Sequence, residues 1–227
     1  MKHLDKLIHE AKARFKNNKK IIIILLGITI IGIISGSIFM TFITDSDKTL
    51  SANYLKNFFD NIIDNKLNYI DTLKNNFFSS FLYITIIFLL GISVIGIPIA
   101  LIMYFAKSFM LGFSLSTIIL NYKFKGILYS IIYVFPSHII KLILFTMLVM
   151  YAIKVSSYLI YAIFNKLEIN FKNIMNRYFK VFVICLIGIV LTSILDTYLT
   201  PFLLGKVLWK YKLLSIVFDL QLEIYMI

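Results

Sequence analysis

Charged residues are scarce in this sequence, since Asp, Glu, Lys and Arg together occupy 15% of its 227 positions while apolar residues occupy 60%. Soluble domains have about 25% charged and about 45–50% apolar residues, so an ordinary water-soluble domain is excluded. The mean hydropathy of +0.89 places most of the chain in lipid. In lipid, every backbone N–H and C=O must be satisfied within the spanning structure, which leaves helices or a closed barrel.

The residues from which catalytic and metal sites are built are also few. Cys185 is the single cysteine, so no disulfide forms within the chain, and we interpret it as a small packing residue. The histidines, His3, His9 and His138, are too scattered for a metal cluster. His-Glu-x-x-His, Gly-x-Ser-x-Gly and phosphate-loop motifs are missing, and Asp196 has no second carboxylate near it for acid–base chemistry. We therefore expect no catalytic residue, no metal and no cofactor, which means that the chain is not an enzyme.

Long apolar runs dominate what is present. A membrane-spanning helix needs about 20 apolar residues, and runs of about that length or longer occupy residues 21–43, 77–106, 126–150 and 181–199. Barrel strands would alternate instead. Residues 77–120 contain a single charge and are too long for one crossing. The sequence therefore predicts an all-α, polytopic integral membrane helical bundle with about five transmembrane helices.

Prolines and glycines indicate where these helices are interrupted. Proline removes a backbone donor and clashes with the preceding turn, so we predict broken helices near Pro98 and Pro136. The turn between the second and third spans lies either near Gly96 and Pro98 or at Lys107, and the sequence does not separate these two positions. The first position leaves Lys107 inside the membrane.

Ionisable residues within the apolar runs are candidate functional residues, because charge at bilayer depth is costly and is often functional. They are Lys107, His138 and Lys141. The ordinary alternative is that they reach the interface with their side chains, or bind carbonyl groups freed near Pro136. Both interpretations stay open.

The polar connection at residues 44–76 contains apolar side chains spaced three and four residues apart, which predicts an amphipathic helix. We assign its apolar stripe as a candidate partner-binding surface: Phe58, Phe59, Ile62, Ile63 and Ile70. The alternative is that the membrane surface or the protein's own spans cover this stripe.

The formal charge of +12 is distributed between the apolar segments and does not cluster on a water-exposed fold. It therefore predicts attraction to anionic lipids and no nucleic acid partner. Residues 1–20 read as a basic, cytoplasmic amphipathic tail, residues 21–204 as the membrane domain and residues 205–227 as an amphiphilic C-terminal tail. Thirteen Lys and Arg residues on one side against nine on the other predict a cytoplasmic N-terminus and an external C-terminus.

The order of these elements resembles the stage II sporulation protein M family over residues 1–204. The resemblance rests on a basic tail and first span, an outer loop, and a series of short segments: residues 90–98, Lys107-Ser108 with Gly112-Phe113, residues 135–138, and Asp196 with Tyr198, Thr200 and Pro201. Related proteins often have a His-Gly pair and a glutamate after the central proline. Here Ser137, His138 and Lys141 stand nearby, so no role of that glutamate is transferred.

The resemblance implies a non-enzymatic membrane scaffold for engulfment during endospore formation. Its implied partners are a septal lytic transglycosylase and an amidase/endopeptidase that degrade peptidoglycan, and its implied place is the mother-cell septal membrane. Small residues in the first two spans suit close helix packing, and a homo-oligomer is a further expected partner. The alternative function is a small-molecule transporter or channel with a midplane site at broken helices.

Overall fold

In a computed structural model, the chain is almost entirely helical. The structure describes residues 2–93, 95–165 and 171–209, with the backbone alone described at 2–17, 135, 136 and 165. The elements in chain order are α1 (Lys2–Phe42), α2 (Asp45–Ile63), α3 (Tyr69–Ile92), α4 (Gly96–Tyr133), a π-helical segment π1 (Val134–His138), α5 (Ile139–Asn165), α6 (Phe171–Ile194) and a second π-helical segment π2 (Leu195–Leu199).

Within the described residues, five helical stretches are long and apolar enough to cross a membrane. They are Asn18–Phe42, Tyr69–Ile92, Gly96–Tyr133, Ile139–Phe164 and Phe171–Trp209. This confirms the predicted all-α polytopic bundle. The amphipathic helix predicted after the first span is α2, which begins where the Thr44 side chain accepts a hydrogen bond from the backbone N–H of Asp47. It ends at Ile63, so Ile70 of the predicted stripe belongs to α3 and not to the same helical face.

The turn between the second and third spans lies before Pro98. The chain turns between Ile92 and Gly96, and a Cβ at Gly96 would lie 1.6 Å from the Leu90 carbonyl oxygen, so only glycine fits this approach. Pro98 falls in the first turn of α4, where its missing N–H is tolerated. Of the two predicted positions the first is the observed one, and Lys107 lies well inside α4.

The interruption predicted at Pro136 takes the form of a π-helical turn. The chain stays helical through π1. The wider turn accommodates a residue that has no backbone N–H to donate. A second such turn, π2, was not predicted from the sequence. The two π segments pack against each other.

Residues 121–126 form a sharp reversal inside α4. Lys123 has a positive φ of 50° with ψ −126°, which ends the first part of the helix. The second part packs back on the first so closely that a Cβ at Gly126 would lie 2.6 Å from the Ile118 carbonyl oxygen. The hairpin explains why glycine stands there.

Helices α1 and α4 run side by side through small residues. A Cβ at Gly36 would lie 2.0 Å from the Phe109 carbonyl oxygen, and one at Gly112 would lie 2.0 Å from the Ile33 carbonyl oxygen. Small residues such as these glycines let helix backbones approach closely in membranes. Gly27 of the same helix has nothing within 4 Å of its added Cβ and does not belong to this contact.

The segments that connect the helices lie at two opposite ends of the bundle. A cluster of buried residues joins α2 to the reversal in α4 and to the C-terminal end of the α6 stretch, as Phe59, Tyr129 and Leu204 show. We call this end the cap face, and the end with the α3–α4 turn the opposite face. The predicted placement of the N- and C-termini on opposite sides of the membrane follows from an odd number of crossings and stays a prediction. The assignment of the opposite face to the cytoplasm stays a prediction from charge.

Candidate functional site: a charged cluster in the bundle

Asp196 is the centre of a polar cluster inside the bundle. Its carboxylate accepts hydrogen bonds from the Lys141 ammonium and from the Ser137 hydroxyl, and His138 Nδ1 lies 3.8 Å from Asp196 Oδ1. The side chains of Lys141 and Asp196 are only 11% and 9% exposed. A buried lone charge is expensive in this environment, and each of these two residues supplies the opposite charge that the other needs.

The two π segments bring this cluster together. Ser137 and His138 come from π1, and Lys141 follows His138 by three residues, which places both on one side of the helix. Asp196 comes from π2. The amide of Asn76 donates to the Thr197 hydroxyl at 3.4 Å, which ties α3 to the same place. Wide turns of this kind are frequent at functional sites.

Lys107 approaches the cluster from α4. Its Nζ lies 5.4 Å from the centre of the Tyr83 ring and 5.9 Å from the centre of the Phe145 ring, within range of cation–π attraction. Among the described side chains, no carboxylate lies within 4 Å of this ammonium. Lys107 is therefore a cation without a paired anion.

A cavity of about 580 Å³ extends from α2 on the cap face down to this cluster. The lysine, histidine and aspartate residues on its wall are Lys107, His138, Lys141 and Asp196. A smaller cavity of about 210 Å³ lies beside it and shares Lys107, His138 and Lys141. The wall of the larger cavity has two lysines and one carboxylate, so basic side chains outnumber acidic ones.

The structure brings most of the predicted intramembrane polar residues to this one cavity. Lys107, His138, Lys141, Asp196 and Pro201 all line it. Gly96 and Pro98, in contrast, belong to the turn on the opposite face. Pro136 lies in π1, and its side chain falls outside the described residues.

The sequence alone indicates no partner for Asp196, which has no second carboxylate near it, and the structure supplies that partner. Asp196 pairs with Lys141 across 55 residues of chain. The available sequence signal is that Asp196 is the only acidic residue in the apolar stretch Phe171–Trp209, where a charge needs a partner. Nothing comparable in the sequence indicates that Ser137, or the rings of Tyr83 and Phe145 around Lys107, belong to this site.

The predicted partner-binding stripe is divided between the protein interior and its surface. Phe59 is 3% exposed and Ile62 is 7% exposed, in the cluster that joins α2 to α4 and α6. Phe58 and Ile63 are half-buried, and Ile70 is 64% exposed. The protein's own spans therefore cover the centre of the stripe, which was the alternative interpretation.

A second cavity on the cap face, of about 690 Å³, lies where the end of α2, the start of α3 and the end of the α6 stretch meet. We call it the cap groove. Its wall includes Ile63, Tyr69, Phe202 and Trp209. Tyr69 stacks on Tyr198, with ring centres 5.4 Å apart.

The serine, histidine and aspartate of the cluster do not form a hydrolytic relay. In such a relay histidine uses one ring nitrogen for the serine and the other for the aspartate. Here Ser137 Oγ lies 3.3 Å from the same His138 Nδ1 that faces Asp196, and Ser137 is fully buried and donates to the carboxylate directly. The arrangement holds charge in place and has no accessible nucleophile.

A family model described as stage II sporulation protein M matches residues 22–201. This range includes the wall residues of the 580 Å³ cavity. No curated protein and no solved structure matches the chain.

Proposed function

The chain belongs to the stage II sporulation protein M family and is a multi-pass membrane protein connected with sporulation; from this premise we propose that it is a non-enzymatic scaffold of the engulfment machinery. It recruits two peptidoglycan-degrading proteins, a lytic transglycosylase and an amidase/endopeptidase, to the mother-cell septal membrane. The family match is the observation on which this proposal rests. A polar cluster whose serine is fully buried is consistent with a role in binding.

The cap groove is the surface that we assign to partner binding. It exposes the aromatic side chains of Tyr69, Phe202 and Trp209, and the exposed Ile70 follows Tyr69 in the chain. Aromatic residues are enriched at the energetic centres of protein interfaces. With the N-terminus in the cytoplasm, the cap face lies outside the cell membrane, where peptidoglycan is. The proposed occupant is an apolar, membrane-proximal segment of a peptidoglycan-degrading partner.

Anionic lipids are proposed as the second kind of partner. Lys19 and Lys20 stand where the first span begins, and further basic residues precede them. Each lysine close to an anionic membrane surface contributes about 1 kcal/mol of attraction. This attraction holds the N-terminal face at the cytoplasmic leaflet and supports the proposed orientation.

Co-purification with the two partners tests the scaffold function. Ile70→Asp places a charge at an exposed position directly after Tyr69 of the groove wall and should reduce partner capture at least tenfold, while membrane insertion stays normal. Leu50→Asp is the matched control, because Leu50 is 55% exposed on α2 and has no residue of the groove wall next to it in the chain. Phe59 is unsuitable, since a charge at this buried position should disturb the cap itself. Equal capture by the wild type and Ile70→Asp would remove the proposed surface.

One observation favours the transporter alternative. The 580 Å³ cavity reaches charged residues inside the membrane, which is where transporters hold their substrates. Solute flux in proteoliposomes that is lost in Lys107→Met would establish that alternative. Absence of flux across a panel of small anions, together with partner capture, would leave the scaffold function as the account of the protein.

A further inference from the structure

We propose that the 580 Å³ cavity binds the phosphate group of an anionic ligand, with Lys107 as the group that pairs with its charge. The inference does not depend on the scaffold function or on transport. It follows from the charge of the cavity, its depth, its wall and its opening.

The charges of the cavity are unequal. Asp196 is engaged by Lys141 and Ser137, which leaves Lys107 with two aromatic rings and no carboxylate among the described side chains. Attraction to aromatic ring faces offsets only part of the cost of burying a cation. A bound anion would supply the charge that this cluster lacks.

Lys107 lies too deep to reach water by extending along its own helix. The neighbouring Ser108 packs on Gly32, and Gly32 stands near the middle of the span Asn18–Phe42. A lysine at this level is far from both membrane surfaces, and such residues normally face partners or water-filled cavities. The cavity is the space that this ammonium faces.

The wall of the cavity fits a phosphate ester. Hydroxyl and amide side chains line the cavity together with the charged residues: Asn76, Ser79, Ser80, Ser114 and Thr117. Lysine together with hydroxyl donors is a usual way to hold phosphate. The volume lies in the range of small-molecule sites, about 300–1,000 Å³, and is much larger than a bare ion needs.

The opening of the cavity indicates where the ligand comes from. Towards the cap face the wall comes from α2, the link after it and the start of α3, and is mixed, with apolar Leu55, Phe58 and Leu67 beside polar Ser51, Tyr54 and Thr72. This is the level at which the first span ends and where lipid headgroups lie. The phosphate is therefore that of an anionic lipid headgroup or of a phosphate compound in solution, and the two sources can be tested separately.

The test measures thermal unfolding of the purified full chain. One arm adds inorganic phosphate in detergent, against chloride at equal ionic strength. The other compares nanodiscs of phosphatidylglycerol with nanodiscs of phosphatidylcholine. Phosphate also stabilises proteins without binding, so the informative quantity is the difference between variants. Stabilisation by phosphatidylglycerol alone identifies a lipid, and saturable stabilisation by inorganic phosphate identifies a soluble source.

The variants separate binding from general stability. Lys107→Met should weaken the apparent affinity at least tenfold, and Lys107→Arg should retain most of it. Lys154→Met is the matched control, because Lys154 also lies over a ring, 5.9 Å from the centre of Tyr151, but does not line the cavity. Asp196→Asn should tighten binding, since it removes the competing anion.

Two results would overturn the proposal. One is an equal ligand response in the wild type and Lys107→Met. The other applies if Lys107→Met does not fold: native mass spectrometry of the wild type should then show retained phosphatidylglycerol over phosphatidylcholine or saturable phosphate adducts, and finding neither refutes the site. Partner capture, which Ile70→Asp tests, is unaffected by either outcome.

Discussion

Replacing Gly36 by alanine should destabilise the bundle, because α1 and α4 approach each other most closely there. The added Cβ would lie 2.0 Å from the Phe109 carbonyl oxygen, whereas ordinary contacts begin at 3.4 Å, so the helices must separate by the difference of 1.4 Å. That movement also stretches two hydrogen bonds, from the Ser37 hydroxyl to the Gly112 carbonyl at 3.0 Å and from the Ser116 hydroxyl to the Ser37 carbonyl at 3.2 Å.

The expected loss follows from these contacts. Overpacking costs about 1–3 kcal/mol, and each interhelical hydrogen bond in a membrane protein contributes about 0.6 kcal/mol on average. The free energy of unfolding of Gly36→Ala should therefore fall by about 2–4 kcal/mol. Gly27→Ala is the control on the same helix, where nothing meets the new Cβ, and it should be neutral or stabilising by up to about 1 kcal/mol. Reversible unfolding in mixed micelles measures both. Equal stability of the two variants would refute the packing account.

Two further predictions concern the ion pair and the topology. Lys141→Met leaves Asp196 buried and unpaired and should lower the free energy of unfolding by about 3–5 kcal/mol; the double variant Lys141→Met with Asp196→Leu should recover most of this loss in the same assay, and no recovery would contradict the pairing. In a cysteine-free background, a single cysteine at Asn53 should react with a membrane-impermeant maleimide on intact cells and one at Lys172 should not, while the reverse pattern would invert the orientation.

Local patterns in the sequence predicted the helices well. The apolar runs are long enough to identify the spans, and the three- and four-residue spacing in α2 identified its buried side. Such spacing marks a buried face but does not show what covers it. Phe59 and Ile62 were therefore open to two interpretations until the neighbouring helices were placed.

The candidate site was only half predictable for the same reason. Lys107 and Lys141 stood out because a charge inside an apolar run is costly wherever the chain goes. Their surroundings depend on helices that are distant in sequence, since Asp196 comes from π2 and Tyr83 from α3. No proline lies within π2, so that segment had no sequence signal that resembled the one at Pro136.

The most direct test of the scaffold function is the position of the peptidoglycan-degrading partners in sporulating cells. Fluorescently tagged partners should collect at the septum in cells that make the wild-type chain, and should disperse in cells that make Ile70→Asp although that variant itself stays at the septum. Leu50→Asp should behave as the wild type does. Partners that remain at the septum with Ile70→Asp, or that also reach it in cells without this protein, would contradict the proposed function.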